Sequence, residues 1–276
     1  MIPNRFDYAA PKTLDAALEL LSGRNDAKIL GGGTVLVPLM GLGDVKPSVV
    51  VDLRNLPLSG ITKSNGSLLI GAAATYKTIA ADRAVGEMAP LLAYVSRQIT
   101  GGPQILSQAT AGGSACYSNP ASDVPASIVA LDARMRLGSA AGTRTLSALE
   151  FFTGAFTNVL RPDEVLLEIL IPPSCWNRFG YIKQKHATSS WPIVTAACLA
   201  DNDRNVRIAV GGAASRPYVV EGICRTKGCA EDIGQRASEA LVDPWSDALA
   251  PAAYRQRIVK SVVTRAVKQA LAEATA

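Results

Sequence analysis

The sequence predicts an α+β protein of two domains, and three observations carry that reading. A βαβ-like opening and a long helical stretch lead into a group of short strands, and a second strand group further on is followed by helix. The pair Pro172-Pro173 interrupts the chain between the two strand groups. The 276 residues, 48% of them hydrophobic, supply more interior than one small core needs. The expected division is 1–172, with lobes of about 1–55 and 56–172, followed by 173–276.

Taken in order, Thr13 caps a short helix that places Leu14, Leu18 and Leu21 on one face and closes at Ser22-Gly23. A buried strand near Ala27 to Leu30 runs into the glycine-rich segment ILGGGTVLVPL, residues 29–39. Ser48 to Leu53 is another buried strand, and after the turn residues Ser64-Asn65-Gly66 a new strand opens at Ser67 and runs to Gly71. From Thr75 to Ser107 the periodicity is helical, with breaks expected at Gly86, Pro90 and Gly101-Gly102.

The segment TAGGSACYSNPASD, residues 110–123, reads as a second glycine-rich loop, and Asp123 begins a helix through Leu131. Strands follow at Arg134 to Leu137, Thr143 to Leu146 and Val165 to Ile171. Past the prolines, Arg178 to Lys185, Thr195 to Ala200 and Val206 to Val210 read as an antiparallel sheet, and the remainder as helix. The last helix, Pro251 to Ala272, aligns Tyr254, Ile258, Val262 and Ala266. Its Arg255, Arg257, Lys260, Arg265 and Lys268 read as a solvated face or as a dock for an acidic partner.

Composition excludes several classes. The net charge of +5, from 28 basic against 23 acidic residues, is mild, and the cations are scattered, so no nucleic-acid footprint is present. No apolar run is long enough for a membrane span, and MIPNRFDYAAP lacks the layout of a secretion signal, so a soluble, cytoplasmic protein is expected. The five cysteines, Cys116, Cys175, Cys198, Cys224 and Cys229, form no metal-ligand cluster and are expected as reduced, mostly buried thiols.

The two glycine-rich segments are the most informative feature. Neither carries Lys or Arg, so phosphate would be held there by backbone N–H groups and hydroxyls. The first mimics a Rossmann fingerprint, with Asp52 near the place of a ribose-binding acid. The mimicry fails at Leu36, where close helix packing needs glycine, and Pro38 cuts the following helix short.

These residues resemble the FAD-binding medium subunit of the molybdenum hydroxylases, the xanthine dehydrogenase and aerobic carbon monoxide dehydrogenase family. Its first signature is similar to Gly31-Gly32-Gly33-Thr34-Val35-Leu36-Val37-Pro38. Its second is similar to Thr110-Ala111-Gly112-Gly113-Ser114 followed by Asn119-Pro120-Ala121-Ser122-Asp123, with Ser114 where Asn is commoner. FDYAAPKTLDAALELL, DEVLLEILIPP, VRIAVGGAASRP and Tyr254-Arg255 continue the likeness through the chain. The resemblance implies a two-lobed FAD-binding domain of the vanillyl-alcohol oxidase type plus a small C-terminal α+β domain. It also implies non-covalent FAD, a partner small subunit with 2Fe-2S clusters and a large subunit with a molybdopterin cofactor, in a dimer of heterotrimers. The function it implies is electron transfer from the partner's clusters through FAD to an external acceptor. A self-sufficient flavin oxidase and a cofactor-free scaffold subunit are the alternatives.

Within that frame the amides of Gly32 to Leu36 and of Gly112 to Ser114, with Gly31 and the hydroxyls of Thr34 and Thr110, are expected to wrap the diphosphate and ribityl chain. Asp123 either accepts from the cofactor or caps its helix. Lys183 lies where the resemblance places a lysine near the flavin, to stabilise the anionic reduced ring; otherwise it is an exposed strand lysine. Trp191 stacks on the flavin or controls access to it, or is a core residue. His186, the only histidine, is expected at the surface, and Cys116 as a small buried hydrophobe rather than a flavin tether. No catalytic dyad and no metal site is expected, because the flavin carries the chemistry.

Overall fold

The computed structural model of the chain describes residues 2–271. It opens with β1 (Asp7–Ala9), α1 (Leu14–Leu21), β2 (Lys28–Leu30), α2 (Leu36–Leu42) and β3 (Val49–Asp52). The strands form a parallel sheet in the order β1-β3-β2. Every residue of β3 is buried, which is why a parallel central strand reads as an unbroken apolar run. The Thr13 side chain accepts from the Ala16 amide at 3.3 Å to start α1, whose Ala17, Leu18 and Leu21 pack with Val49 and Val51. Leu30 stands level with Asp52 in the register, so the first glycine segment leaves the sheet at its carboxyl edge. Pro38 falls in the first turn of α2, where its missing N–H costs nothing, and Gly43 ends the helix in the left-handed conformation.

A hairpin of β4 (Ile61–Ser64) and β5 (Ser67–Gly71) turns at Asn65-Gly66, both with positive φ. Four helices follow: α3 (Tyr76–Ala81), α4 (Arg83–Met88), α5 (Pro90–Gln98) and α6 (Gly102–Gln108). The break expected at Gly86 falls instead at Asp82, which ends α3 and caps α4 by accepting from the Val85 amide at 3.0 Å. The second glycine-rich segment is a helix, α7 (Ala111–Tyr117), rather than a loop, and α8 (Asp123–Ala130) comes next. Then come β6 (Arg134–Ser139), β7 (Gly142–Ser147), α9 (Ala148–Phe151), the small hairpin β8 (Phe152–Gly154) and β9 (Thr157–Asn158), and β10 (Val165–Ile171). These build a five-stranded antiparallel sheet, β4-β5-β10-β6-β7, against which the helices pack.

The last sheet is an antiparallel meander of β11 (Arg178–Gln184), β12 (Val194–Ala200), β13 (Asn205–Gly211) and β14 (Tyr218–Ile223). The edge strand β14 corrects the expectation that everything after Val210 is helical. Its sequence YVVEGI is half-exposed and lacks a clean alternation, so its pairing with β13 decides its state. α10 (Cys229–Glu239) and α11 (Ala252–Leu271) cover the sheet. The residue expected to end the last helix, Ala272, lies outside the described residues. A Cβ at Gly180 would stand 2.1 Å from the Ala266 carbonyl oxygen, so β11 and α11 meet backbone to backbone.

Two further expectations are corrected. Cys224 and Cys229 are joined as a disulfide with Cα atoms 5.1 Å apart, against the expectation of reduced thiols, because the turn between β14 and α10 brings them together. Arg255 is fully buried and does not belong to a solvated face, whereas Arg257, Lys260, Arg265 and Lys268 are exposed. Among the described residues no helix is long and apolar enough to cross a membrane.

Candidate functional site

The carboxyl edge of the first sheet, the α6–α7 region and the segment before β12 together enclose a cleft of about 800 Å³. Gly31 to Leu36 line one side and Thr110, Gly112, Gly113 and Ser114 another, while Asp123 and Trp191 lie along the same wall system. The two glycine segments are thus in contact, a Cβ at Gly31 standing 3.1 Å from Thr110 Oγ1.

The two segments differ in what their amides do. Among the described residues, none of the amides of Gly32 to Leu36 donates to another protein atom; the first committed donor is Val37, to the Gly33 carbonyl. Five consecutive donors without a protein acceptor, at the carboxyl edge of a parallel sheet, are available to an anion. The amides of the second segment are committed. Gly112 donates to the Ala72 carbonyl at 3.0 Å, Gly113 to Thr110 Oγ1 at 3.0 Å and Ser114 to the Thr110 carbonyl at 3.0 Å. This corrects the expectation of a second amide cradle: Thr110 is the N-cap of α7, and capping satisfies the donors a phosphate would need. Ser114 is likewise engaged through its hydroxyl, with Tyr76. What α7 offers the cleft is smooth glycine surface and the Thr110 hydroxyl, whose oxygen accepts from Gly113 while its own proton stays available.

Asp123 is the first residue of α8 and is not its cap; Ser122 holds the cap position. The Asp123 carboxylate is buried, accepts from the Tyr181 hydroxyl at 2.5 Å, and lies 3.2 Å from Lys183 Nζ. Burial raises its pKa above the ordinary carboxylate value, opposed by Lys183 and the Tyr181 hydrogen bond. Lys183 is largely buried rather than an exposed strand lysine. It also donates to the Gln98 carbonyl, and it reaches the cleft only through Asp123. Trp191 is 45% exposed and lines the cleft, which removes the core reading. His186 is exposed, with Nε2 2.6 Å from the Leu249 carbonyl oxygen. Burial pushes the Cys116 thiol up to about 12, leaving it a neutral apolar filler beside the cleft.

Asp52, the decoy ribose-binding acid, is buried outside the cleft. It accepts from the Tyr8 hydroxyl at 2.8 Å and from Arg54 Nε at 2.7 Å. Sequence reasoning missed other walls of the cleft, among them Tyr76, Ile99, Phe156 and the stretch 160–166. Glu164 in that stretch is gripped by Arg144 through two bonds of 2.7 Å, and the guanidinium holds its pKa below the usual carboxylate range. The acidic-basic pairing of Glu164 with Arg144 is the one signal available, and a separation of 20 positions along the chain hides it.

A cleft of this size, walled mostly by apolar side chains and carrying one row of free amides, defines a protein that holds a large phosphate-bearing cofactor between lobes. The chain belongs to the family described as the FAD binding domain in molybdopterin dehydrogenase, whose model matches residues 4–174. Over 99% of both chains it is 31% identical to the carbon monoxide dehydrogenase medium chain of Hydrogenophaga pseudoflava. It is also 31% identical to the nicotine 6-hydroxylase medium subunit of Paenarthrobacter nicotinovorans, over 95% of this chain and 96% of the relative. A solved carbon monoxide dehydrogenase from H. pseudoflava contains a chain that superposes with a TM-score of 0.92 at 30% identity, covering 99% of each.

Proposed function

We propose that the chain holds FAD non-covalently in this cleft and serves as the electron-transfer subunit of a molybdenum hydroxylase. It would take electrons from 2Fe-2S clusters on a small partner subunit and pass them to an external acceptor. A large subunit carries the molybdopterin cofactor, and the assembly is a dimer of heterotrimers in the cytoplasm. The observation that carries this reading is the row of uncommitted amides from Gly32 to Leu36 in a segment that lines a cleft with Thr110, Asp123 and Trp191.

The residues present fit the cofactor. The amides of Gly32 to Leu36 and the hydroxyls of Thr34 and Thr110 bind the diphosphate, and the glycines at 32 and 112 let the two segments pack closely on Gln108 and Ala72 beside the cleft. Asp123 accepts a hydrogen bond from the cofactor with an oxygen that Tyr181 does not occupy. Lys183, paired with Asp123, adds positive potential that favours the anionic reduced state. Trp191 excludes water at the mouth. Bound flavin itself supplies the redox chemistry. The division into residues 1–172 and 173–276 places the Asp123–Lys183 pair across the two proposed domains.

Co-expression with iron–sulfur and molybdenum partners, followed by absorption spectra, acid extraction and dye-reduction assays, tests the reading. The expected result is extractable FAD in this chain and dye reduction by the complex alone. Turnover by the isolated chain, or a colourless chain in every preparation, contradicts it.

A further inference from the structure

Arg255 is the largest fully buried side chain among the described residues, and none of its partners lies in the first 192 residues. Its Nη1 donates to the carbonyls of Ile193 and Gly212, the latter at 2.7 Å. Nε reaches the Ala250 carbonyl at 3.3 Å, and Nη2 pairs with Asp247. Asp247 in turn accepts from the amides of Leu249 and Ala250 and, through Oδ2, from the Trp245 indole at 3.1 Å. A guanidinium can serve four acceptors in fixed directions, so one side chain sets the relative positions of three backbone segments.

One of those segments carries an aromatic group at the cleft, and a second carries one that packs against a cleft-lining ring. Ile193 follows Trp191 and Pro192, which both line it. A Cβ at Gly212 would stand 2.5 Å from the Ile193 carbonyl oxygen, so the strand ends are packed backbone to backbone beside the guanidinium. Trp245, tied to Ala213 by its amide at 2.8 Å, stands edge-on to Phe156 with ring centroids 6.0 Å apart. Phe156 lines the cleft, is 47% exposed and stands 5.2 Å from the Tyr117 ring on the opposite element. Trp191, Tyr117 and Phe156 are thus the aromatic rim of the cleft, with Trp245 packed against Phe156, and Trp191 and Trp245 both lead back to Arg255.

We infer that Arg255, acting through Asp247 and the Ile193 carbonyl, is a positioning residue for this rim and so sets how freely an outside electron acceptor reaches the flavin. The inference rests on the proposed function, because it takes the cleft to hold a flavin that an external acceptor reoxidises. A side chain that only stabilised the C-terminal sheet would alter yield and melting temperature while leaving access to the cofactor unchanged.

The test uses the assembled complex carrying Arg255→Met, Arg255→Lys, Asp247→Asn or Trp245→Phe. FAD dissociation constant, iodide quenching of flavin emission, and acceptor KM and kcat are measured for each. In Arg255→Met the acceptor KM and the quenching constant rise by about threefold or more, while FAD affinity and kcat stay within about twofold of wild type. Arg255→Lys falls between. Trp245→Phe keeps an aromatic ring but loses the indole donor together with the fused five-membered ring, so it reports on the rim even if the Arg255 variants fail to fold; a smaller shift in the same direction is expected. Unchanged KM and quenching in the folded variants overturn the inference, as does a loss of FAD affinity and kcat with no change in KM. A wild-type complex purified without flavin instead removes the reading on which it rests.

Discussion

Gly32 and Gln108 meet so closely that a Cβ on the glycine would stand 1.9 Å from the glutamine carbonyl oxygen. The glycine-rich character of the first loop is therefore required first by the protein itself, because the loop packs on the chain that leads into α7. Gly112 behaves alike, a Cβ there lying 2.5 Å from the Ala72 carbonyl oxygen. Gly32→Ala and Gly112→Ala are each expected to cost about 1–3 kcal/mol of stability in urea unfolding. Gly32→Ala is also expected to weaken FAD binding by about tenfold or more. Gly86→Ala, in an open position inside α4, is the control and is expected to stabilise by about 0.5–1 kcal/mol.

The Asp123–Lys183 pair carries a pH dependence whose sign follows from burial. Because burial raises the folded-state pKa of Asp123, its contribution to stability is complete below the unfolded value and is lost as pH rises through the folded one. Lys183 opposes that loss by stabilising the carboxylate. In Lys183→Met the folded pKa rises further, so the deficit against wild type grows with pH and reaches about 3 kcal/mol once the carboxyl ionises in the wild type. Lys183→Met/Asp123→Asn removes both charges and recovers part of it. Urea titrations across a pH series check both statements; a deficit independent of pH contradicts them.

Glu164 titrates in the opposite sense. Arg144 depresses its folded pKa, so its contribution is present above the unfolded value and is lost as pH falls through the folded one. Arg144→Gln is expected to cost about 2 kcal/mol near neutral pH and progressively less on acidification. The change is read in chemical denaturation, and a cost that grows in acid would show that the bidentate pair is not its source.

Trp191→Ala separates cofactor contact from folding. The ring is half-exposed, so the substitution is expected to leave stability within about 0.5 kcal/mol. FAD binding, followed by calorimetry, is expected to weaken by about 1 kcal/mol, the scale of one aromatic contact.

Much of this fold could be read from residues. β3, β5 and β10 follow from apolar runs bounded by turn residues, and α1 from a capping threonine with a leucine stripe. The second glycine segment misled for a physical reason: Thr110 with Gly112 and Gly113 reads equally as an anion cradle and as a capped helix start. The contacts that decide, from Ala72 and Ala74, come from almost forty residues earlier. Charge alone groups Arg255 with the exposed cations of the last helix, whereas three backbone carbonyls and Asp247 replace the water it loses. Tyr76, Phe156 and 160–166 carry no chemical signature and become cleft walls only through tertiary packing.

The central claim, that free amides of the first loop hold a flavin dinucleotide, is tested most directly by titrating the deflavinated chain with FAD and with riboflavin, in wild type and in Gly33→Val. Gly33 has φ +72, so a β-branched residue there must reorient the amide row. One FAD per wild-type chain is expected, with riboflavin bound far more weakly because it lacks the diphosphate, and with that FAD preference lost in Gly33→Val. Equal affinity of the wild-type chain for FAD and riboflavin, or an FAD preference that survives in folded Gly33→Val, would contradict the account.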